Sequence, residues 1–287
     1  MRTVILTPNP YRDKNFETVR EAMKILNDAG IQTRVCLPFE VDKTFPLPHD
    51  LKFSRLDREL PGSDLVICFG GDGTILHMAK AATRRSIPLL GVNIGNMGFL
   101  AELEGSELEK LAQLAEGVYT TENRRMLEVT LLRNREILYH DFALNDAVIT
   151  KGAVGRIVRL TVCCDGVQAM EFGGDGVILA TPSGSTAYSL SAGGAIVEPD
   201  AHNILITPVC AHDIASRCIV ASDQRTITVS LSGDGRRNAF LSVDGGKAVR
   251  LNTGDVVQVR RAKQEAKLVK LKERSFYDVV NAKFRKD

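Results

Sequence analysis

Residues 64–85 read DLVICFGGDGTILHMAKAATRR, and this stretch decides the fold class. Residues 65–69 are apolar throughout, as in a strand that is covered on both faces. Gly70-Gly71-Asp72-Gly73 follows, and the residues after it have the composition of a helix. A strand that leads through glycines into a helix is the unit from which parallel α/β sheets are built.

The same alternation extends to both sides of this stretch. TVILT (3–7), TRVCLPF (33–39) and IPLLGVNIG (87–95) are strand candidates. Residues 15–30 have apolar positions on one helical face and end at Gly30, which predicts a helix. Ser106-Glu107-Leu108-Glu109 has the pattern of a capping box, which predicts that a second helix begins at Ser106.

After about residue 120 the chain consists mostly of short β-rich runs, such as LEVTLL, RIVRLTVCC, TITVSL and NAFLSV. The steps 164–167, 233–235, 244–246 and 252–254 contain Asp-Gly or Asn-x-Gly, which are hairpin signals. We therefore predict an α/β domain with a parallel sheet over residues 1–120. A mostly β domain follows over residues 121–271, and a C-terminal helix within 272–287 packs back on the first domain.

Composition excludes several classes of protein. The chain has 287 residues, of which 44% are hydrophobic. Its net charge of +2 is too mildly basic to favour binding to nucleic acid or to an acidic membrane surface. The six cysteines are scattered and form no CxxC motif, which is typical of a reduced protein. The start MRTVILTPNP lacks the pattern of a signal peptide, and no apolar run approaches the ~20 residues of a membrane helix. We expect a cytoplasmic protein.

The pentapeptide FGGDG occurs twice, at 69–73 and 172–176, but the flanking sequences differ, so the two copies are not a repeat. In the first copy, glycines at a strand–helix junction allow a ligand to approach the backbone, and the helix start offers free amides to phosphate. A carboxylate there repels phosphate unless it takes a proton from a hydroxyl or contacts a metal ion. Asp72 is therefore a candidate catalytic residue, although Asp-Gly also occurs as plain turn chemistry.

Residues 180–194, ATPSGSTAYSLSAGG, concentrate small and hydroxyl-bearing side chains. Such a segment brings short hydrogen-bonding groups and bare backbone close to a polar ligand. It is equally compatible with a Ser/Thr loop that caps a short helix at Thr186. The residues alone leave both interpretations open.

Taken together, GGDGT (70–74), Asn96-Met97-Gly98-Phe99-Leu100, Asn145-Asp146 and residues 174–194 resemble the NAD kinase family. GGDGT is shared with diacylglycerol and sphingosine kinases and, in related form, with phosphofructokinases, whereas TPSGSTAYSLSAGG is far more specific. The resemblance implies an α/β domain followed by a β domain. It also implies transfer of the γ-phosphate of ATP, or in some members polyphosphate, to the 2′-hydroxyl of the NAD adenosine ribose, which gives NADP. Mg²⁺ is expected on the ATP phosphates, with no dedicated protein metal site, and the assembly is expected to be a homodimer or homotetramer.

The resemblance also implies roles for individual residues. Asp72 would accept or orient the 2′-hydroxyl proton, and Asp175 would bind the other end of the dinucleotide, from the same or a partner subunit. The remaining NAD-binding candidates are Gly73, Phe99, Asn145, Asp146, Thr186, Ala187, Tyr188 and Ser191. Possible phosphate or accessory contacts, for which a surface or structural role is the alternative, are Arg124, Arg125, Lys151, His212 and Arg217.

The sequence departs from the family pattern at Asp146, where most members have Glu, and at Ala195, where Pro is common. Two other functions stay open. A lipid kinase would use the same GGDGT loop but would need an apolar entrance. A non-catalytic dinucleotide sensor would be expected to lose carboxylates such as Asp72 and Asp175, which this chain retains.

Overall fold

The computed structural model describes residues 1–42, 44–95, 98–152, 157–213, 216–232 and 238–284. They divide into two compact units. The first unit comprises residues 1–123 and the residues from 266 onward, and the second unit comprises residues 124–265.

The first unit contains a parallel sheet of largely buried strands. These are β1 (Thr3–Pro8), β2 (Gln32–Cys36), β3 (Phe53–Ser54), β4 (Leu65–Gly70), β5 (Leu89–Asn93) and β6 (Leu103–Glu104). They are hydrogen-bonded in the order β3-β2-β1-β4-β5-β6, and every neighbouring pair is parallel. All residues of β4 are buried, as its apolar run predicts. The strand order reverses between β1 and β4, which is the position where open α/β sheets bind ligands.

The helices of the first unit follow the strands in alternation. They are α1 (Glu17–Asp28), α2 (Leu56–Glu59), α3 (Asp72–Thr83) and α4 (Gln113–Glu116), with shorter 3₁₀ segments at Lys14–Phe16, Leu60–Gly62 and Gly105–Ala112. α1 places Val19, Ala22 and Leu26 in the hydrophobic core of this unit, together with strand residues such as Val4 and Ile67. The predicted α/β class is confirmed.

The predicted capping box at Ser106 is wrong. The helical segment begins at Gly105, and Glu104 is its N-cap. The Glu107 carboxylate accepts the Glu104 amide at 2.9 Å, and the Glu104 side chain accepts an amide in return. A longer carboxylate two residues upstream therefore takes the place of the serine hydroxyl, because both side chains satisfy helix N-terminal amides in the same way.

Two sheets build most of the second unit. The strands are β7 (Thr120–Arg133), β8 (Glu136–Ala143), β9 (Asp146–Lys151), β10 (Val158–Cys164), β11 (Val167–Gly174), β12 (Gly176–Ala180), β13 (Asn203–Val209), β14 (Ile219–Ser222), β15 (Ile227–Ser232), β16 (Ala239–Val243), β17 (Val249–Leu251) and β18 (Val256–Lys270). One sheet has the order β11-β10-β15-β18, with β7 and β8 alongside, and the other has the order β14-β13-β12-β9-β16-β17. One core cluster takes buried residues from both sheets, for example Leu160 and Val177.

The turn signals have different outcomes. Asp165-Gly166 joins β10 to β11 and Asp244-Gly245 lies between β16 and β17, both as antiparallel hairpins, so these predictions are confirmed. Asn252-Thr253-Gly254 is a turn, but β17 and β18 belong to different sheets, so the hairpin predicted there is wrong. The step at 233–235 lies outside the described residues.

The C-terminal segment returns to the first unit, as predicted. Leu268 of β18 pairs in parallel with Leu89 of β5. The buried Glu102 carboxylate then accepts the amides of Leu271 and Lys272 at 2.9 and 2.7 Å. Helix α6 (Phe276–Phe284) follows. Among the described residues, no helix combines the length and the apolar character that crossing a membrane requires.

Candidate active site

Asp72 lies where the buried strand β4 passes into helix α3. Gly71 is the N-cap of α3 and Asp72 is its first residue, where a negative charge interacts favourably with the helix dipole. Gly70 has to be glycine because a Cβ there would lie 2.2 Å from the Thr74 hydroxyl oxygen. At Gly73 a Cβ would meet no atom within 4 Å. The backbone at Gly73 therefore has open space on the side where a side chain would lie.

The Asp72 carboxylate holds the loop that follows β5. It accepts the amide of Phe99 at 2.8 Å and the amide of Leu100 at 3.1 Å. Gly98 packs directly on it, since a Cβ at Gly98 would lie 2.0 Å from Asp72 Oδ1. A carboxylate has about four acceptor positions, so these contacts leave capacity for a ligand hydroxyl. Asn96 and Met97, which belong to the same motif, lie outside the described residues.

Phe99, whose amide donates to Asp72, contacts the C-terminal helix through its ring. Its ring centroid is 6.5 Å from that of Phe276 and 6.3 Å from that of Phe284. Lys283 Nζ lies 4.5 Å from the same centroid, within the range of a cation–π interaction. Helix α6 has no fully buried residue. The aromatic ring predicted to contact the nucleotide is thus in contact with a helix that has little other burial.

Two asparagines at the ends of β1 and β5, the strands on either side of β4, have no counterpart among the residues predicted from the sequence. Asn9 follows β1, and its Nδ2 donates to the Thr74 hydroxyl at 3.1 Å. Asn93 ends β5, and its Nδ2 donates to Glu104 at 2.6 Å. The buried Asn93 Oδ1 has no hydrogen-bond partner among the described residues. The signal that could have found them is their position directly after, or at the end of, a parallel strand.

In the second unit, Asn145 and Asp146 lie at the start of β9 and are buried. The TPSGS segment packs directly on them. Thr181 donates its amide to the Asn145 carbonyl at 2.8 Å. At Gly184 a Cβ would lie only 2.1 Å from that carbonyl oxygen. Asn145 Oδ1 is buried with no hydrogen-bond partner among the described residues, which marks an acceptor available to a ligand.

The Ser/Thr-rich segment is ordered by its own hydroxyls. The Thr181 hydroxyl donates to the Leu144 carbonyl at 2.6 Å and accepts the Gly184 amide at 3.0 Å. A 3₁₀ turn (Ser183–Thr186) and helix α5 (Tyr188–Ser191) follow. The predicted binding residues in this segment are all accessible: Thr186 and Ala187 are half-buried, and Tyr188 and Ser191 are exposed. The cap predicted at Thr186 is wrong, because Ala187 is the N-cap of α5 and no side chain caps that helix. The Thr186 hydroxyl instead donates to the Ser183 carbonyl at 3.2 Å.

Burial, and secondarily the nearby Asp244 carboxylate, raises the pKa of Asp146 to about 7. Near neutral pH this side chain is thus available both as a hydrogen-bond donor and as an acceptor. Asp244, which the sequence analysis treated only as part of a turn, accepts the amides of Leu144, Asn145 and Asp146 at 2.7, 2.9 and 3.0 Å. A turn signal does not reveal such contacts.

Asp175, from the second FGGDG, forms an ion pair with Lys151 at 2.6 Å, and both side chains are partly exposed. The structure thus brings together two residues that the sequence analysis proposed separately. Lys151 also donates its backbone amide to the Asp175 carbonyl at 2.8 Å.

The remaining candidate cations and His212 are dispersed within the second unit. Arg124 is buried, and its Nη1 donates to the Ser183 hydroxyl at 3.3 Å, next to the Ser/Thr-rich segment. Arg125 instead lies 3.2 Å from the buried Asp223 carboxylate. His212 is exposed. Arg217 lines a polar cavity of about 470 Å³ with Asp213 and Thr207.

Two family models match this chain. Residues 4–123 match the ATP-NAD kinase N-terminal domain and residues 144–271 match the ATP-NAD kinase C-terminal domain. An NAD kinase of Carboxydothermus hydrogenoformans is 39% identical over 82% of this chain and 84% of its own length. An NAD kinase of Acetivibrio thermocellus is 34% identical over 99% of this chain and 97% of its own length.

Solved structures share the fold. Yeast NADH kinase complexed with NADH has a TM-score of 0.85 and 26% identity, with 100% of this chain and 89% of that chain covered. An NAD kinase from Archaeoglobus fulgidus in complex with ATP has a TM-score of 0.76 and 23% identity, with 99% of each chain covered. The chain belongs to the ATP-NAD kinase family.

Proposed function

We propose that this chain transfers the γ-phosphoryl group of ATP to the 2′-hydroxyl of the adenosine ribose of NAD, which gives NADP and ADP. The observation that carries the proposal is the Asp72 carboxylate. It lies at the N-terminus of α3, where the strand order of the first unit reverses, and the amides of Phe99 and Leu100 hold it in place. Family membership supplies the substrates.

Asp72 acts on the acceptor hydroxyl. The ribose 2′-oxygen forms a bond to the γ-phosphorus while the bond from that phosphorus to the β,γ-bridging oxygen breaks and ADP leaves. The 2′-hydroxyl proton passes to the Asp72 carboxylate as the transfer proceeds, because the hydroxyl is too weak an acid to ionise beforehand. The open backbone at Gly73 allows phosphate oxygens to approach the free amides of the helix start.

Mg²⁺ fits this site as an ion carried mainly by ATP. Among the described residues, no group of three or more His, Cys, Asp or Glu side chains has the arrangement of a metal cage. Mg²⁺ needs only one or two protein carboxylates in addition to phosphates and waters, and Asp72 has unused acceptor positions. When bound, the ion would neutralise phosphate charge.

The second unit supplies contacts to NAD. Asn145 offers the Oδ1 that has no partner among the described residues, and Asp146 offers a carboxyl group whose pKa is about 7. Both groups can form hydrogen bonds with ribose hydroxyls or adenine edges. Asp175 is oriented by Lys151. The accessible residues of the Ser/Thr-rich segment, together with Gly73 and Phe99, complete the proposed set, and Arg124 supports the segment through Ser183. Arg125, His212 and Arg217 are proposed only as accessory contacts.

The test is a coupled assay of the purified protein. The protein with Mg-ATP and NAD should make NADP, which an NADP-specific dehydrogenase detects. Parallel reactions replace NAD with NADH or diacylglycerol, and ATP with polyphosphate. Phosphorylated lipid without NADP would identify a lipid kinase, and bound NAD without any product would identify a sensor. If neither NADP nor NADPH forms with ATP or with polyphosphate, the proposal is overturned.

We also propose that the protein is a cytoplasmic homodimer or homotetramer that uses a divalent cation. Light scattering coupled to gel filtration measures the assembly. Chelation by EDTA should abolish NADP formation, and added Mg²⁺ should restore it. A monomer with full activity would contradict the proposed assembly.

A further inference from the structure

The turn between β16 and β17 makes contacts that turn geometry alone does not require. The Asp244 carboxylate accepts the backbone amides of Leu144, Asn145 and Asp146 at 2.7, 2.9 and 3.0 Å. In return, the Asp244 amide donates to the Asp146 carbonyl at 2.9 Å. Hydrogen bonds to an ionised acceptor are roughly twice as strong as those between neutral groups. This single residue therefore holds three consecutive peptide groups from both sides.

The turn itself explains a small residue at this position but does not explain a carboxylate. Asp244 and Gly245 have φ values of 50° and 67°, and the Gly246 amide donates to the Val243 carbonyl at 2.9 Å. Hairpin turns with positive φ at both central positions accept Asn, Asp or Gly at the first. Asn would offer one acceptor oxygen and Gly would offer none, so only Asp serves both the turn and the three amides.

The segment held by Asp244 carries the proposed nucleotide contacts. Asn145 follows directly after Leu144, and its carbonyl is the surface on which Thr181 and Gly184 pack. Movement of this peptide would therefore displace both the Asn145 side chain and the start of the Ser/Thr-rich segment.

The arrangement has an electrostatic cost. Asp146 is buried and interacts with the Asp244 carboxylate, and Tyr139 on β8 interacts with both Asp244 and Asp141. The repulsion between two carboxyl groups would be avoided by an amide at position 244, but the three-amide contact would then be lost.

We propose that Asp244 is a positioning residue for dinucleotide binding, which holds the peptide of residues 144–146 so that Asn145 and Asp146 keep their binding geometry. The inference rests on the proposed function, because it assigns NAD to these residues. It adds a residue that acts through the backbone of others and does not itself contact the substrate.

The test uses Asp244→Asn, Asp244→Glu and Asp244→Gly in the full chain. Asp165→Asn is the matched control, because Asp165 and Gly166 have φ values of 49° and 82° in the other Asp-Gly hairpin, which carries no proposed site residue. Kinetics with NAD and with ATP are measured at several pH values, and NAD binding is measured by calorimetry. Thermal melting shows whether each variant folds.

All three Asp244 variants should raise the KM for NAD by about tenfold or more, which corresponds to about 1.4 kcal/mol. The KM for ATP, and kcat at saturating NAD, should stay within about threefold of the wild-type values. Asp244→Asn should also lower the pH midpoint of NAD binding, because the charge facing Asp146 is gone, whereas Asp244→Glu should keep the midpoint. Asp165→Asn should change none of these values.

An unchanged KM for NAD in folded variants, or equal losses in KM for NAD, KM for ATP and kcat, would overturn the inference. Failure of all three variants to fold would also overturn it and would assign Asp244 to folding alone. If the wild-type protein binds NAD but makes no NADP, the proposed reaction fails, and the calorimetric binding constant still tests Asp244.

Discussion

The two FGGDG stretches have the same five residues but different surroundings. Residues 69–73 end a parallel strand and begin α3 in the first unit. Residues 172–176 end β11 and begin β12, which belong to different sheets of the second unit. An identical pentapeptide thus serves as a strand–helix junction in one place and as a passage between two sheets in the other. The flanking residues decide which of these forms.

The glycines differ in what they allow. At Gly71 and Gly73 a Cβ would meet no atom within 4 Å, so these positions are open. At Gly174 it would lie 2.9 Å from the Val209 carbonyl oxygen, and at Gly176 it would lie 2.1 Å from the Ile149 carbonyl oxygen. The second set of glycines is required by packing. In the first, only Gly70 is required in this way, and the others leave space for a ligand.

The largest difference is expected between the two aspartates. Asp72→Asn should lower kcat by about 10²–10⁴-fold, because the amide cannot accept the hydroxyl proton. Asp175→Asn should mainly raise the KM for NAD, because Asp175 is proposed to bind the dinucleotide and its ion pair with Lys151 orients it. Steady-state kinetics on both variants measure this. Equal losses of kcat would remove the distinction between the two stretches.

A third carboxylate sharpens the comparison through pH. Burial and Asp244 raise the pKa of Asp146 to about 7, above the ordinary value of about 3.9. The folded state therefore binds the proton more tightly than the unfolded state does. The stabilisation from Asp146 is present below about pH 4 and is lost as the pH rises to about 7.

Asp146→Asn should remove this pH dependence, because the amide does not ionise. Relative to the wild-type protein, the variant should therefore be more stable at neutral and higher pH than at acidic pH. The expected gain is of the order of 1–3 kcal/mol. Urea unfolding of both proteins across this pH range measures it. A difference that does not change with pH would contradict the raised pKa.

The difference in packing predicts that alanine affects stability at Gly176 much more than at Gly73. Gly176→Ala should lower the free energy of unfolding by roughly 2–3 kcal/mol, because the Cβ meets backbone that cannot move away cheaply. Gly73→Ala should change it by less than about 1 kcal/mol, since the position is helical and open. Gly73→Ala should instead raise the KM for NAD, because Gly73 is a proposed NAD contact. Equal destabilisation by both would show that Gly73 is also a packing glycine.

The smallest effect is expected at Lys151. The Lys151–Asp175 pair is partly exposed, so Lys151→Gln should change the free energy of unfolding by less than about 1 kcal/mol. The KM for NAD should rise a few-fold, because Asp175 loses its orienting partner. Lys151→Arg is the matched control, and it should keep most of the affinity. A large loss of kcat in Lys151→Gln would instead place Lys151 on a transferred phosphate.

The predictions from sequence succeed where the signal is local. The apolar run at 65–69 predicts a buried strand, and Asp165-Gly166 and Asp244-Gly245 predict hairpins, because the residues that decide each structure are adjacent in the chain. The capping box fails because the helical segment begins before Ser106, and Glu104 and Glu107 form the box instead. The turn at 252–254 fails as a hairpin because turn residues do not specify which sheet the next strand joins.

For the candidate site, the sequence motifs are local, whereas the hydrogen-bond partners of their residues are distant in the chain. The motif around Asp72 and the TPSGSTAY segment identify the family and the chemistry without coordinates. The partners of these residues do not follow from any local pattern, because Asp72 meets Phe99 across 27 residues and Asp244 meets Asn145 across 99 residues. Secondary structure and motif identity depend on neighbours along the chain. Hydrogen-bond partners, burial and the pKa of Asp146 depend on distant residues that only the packed fold brings within a few ångströms.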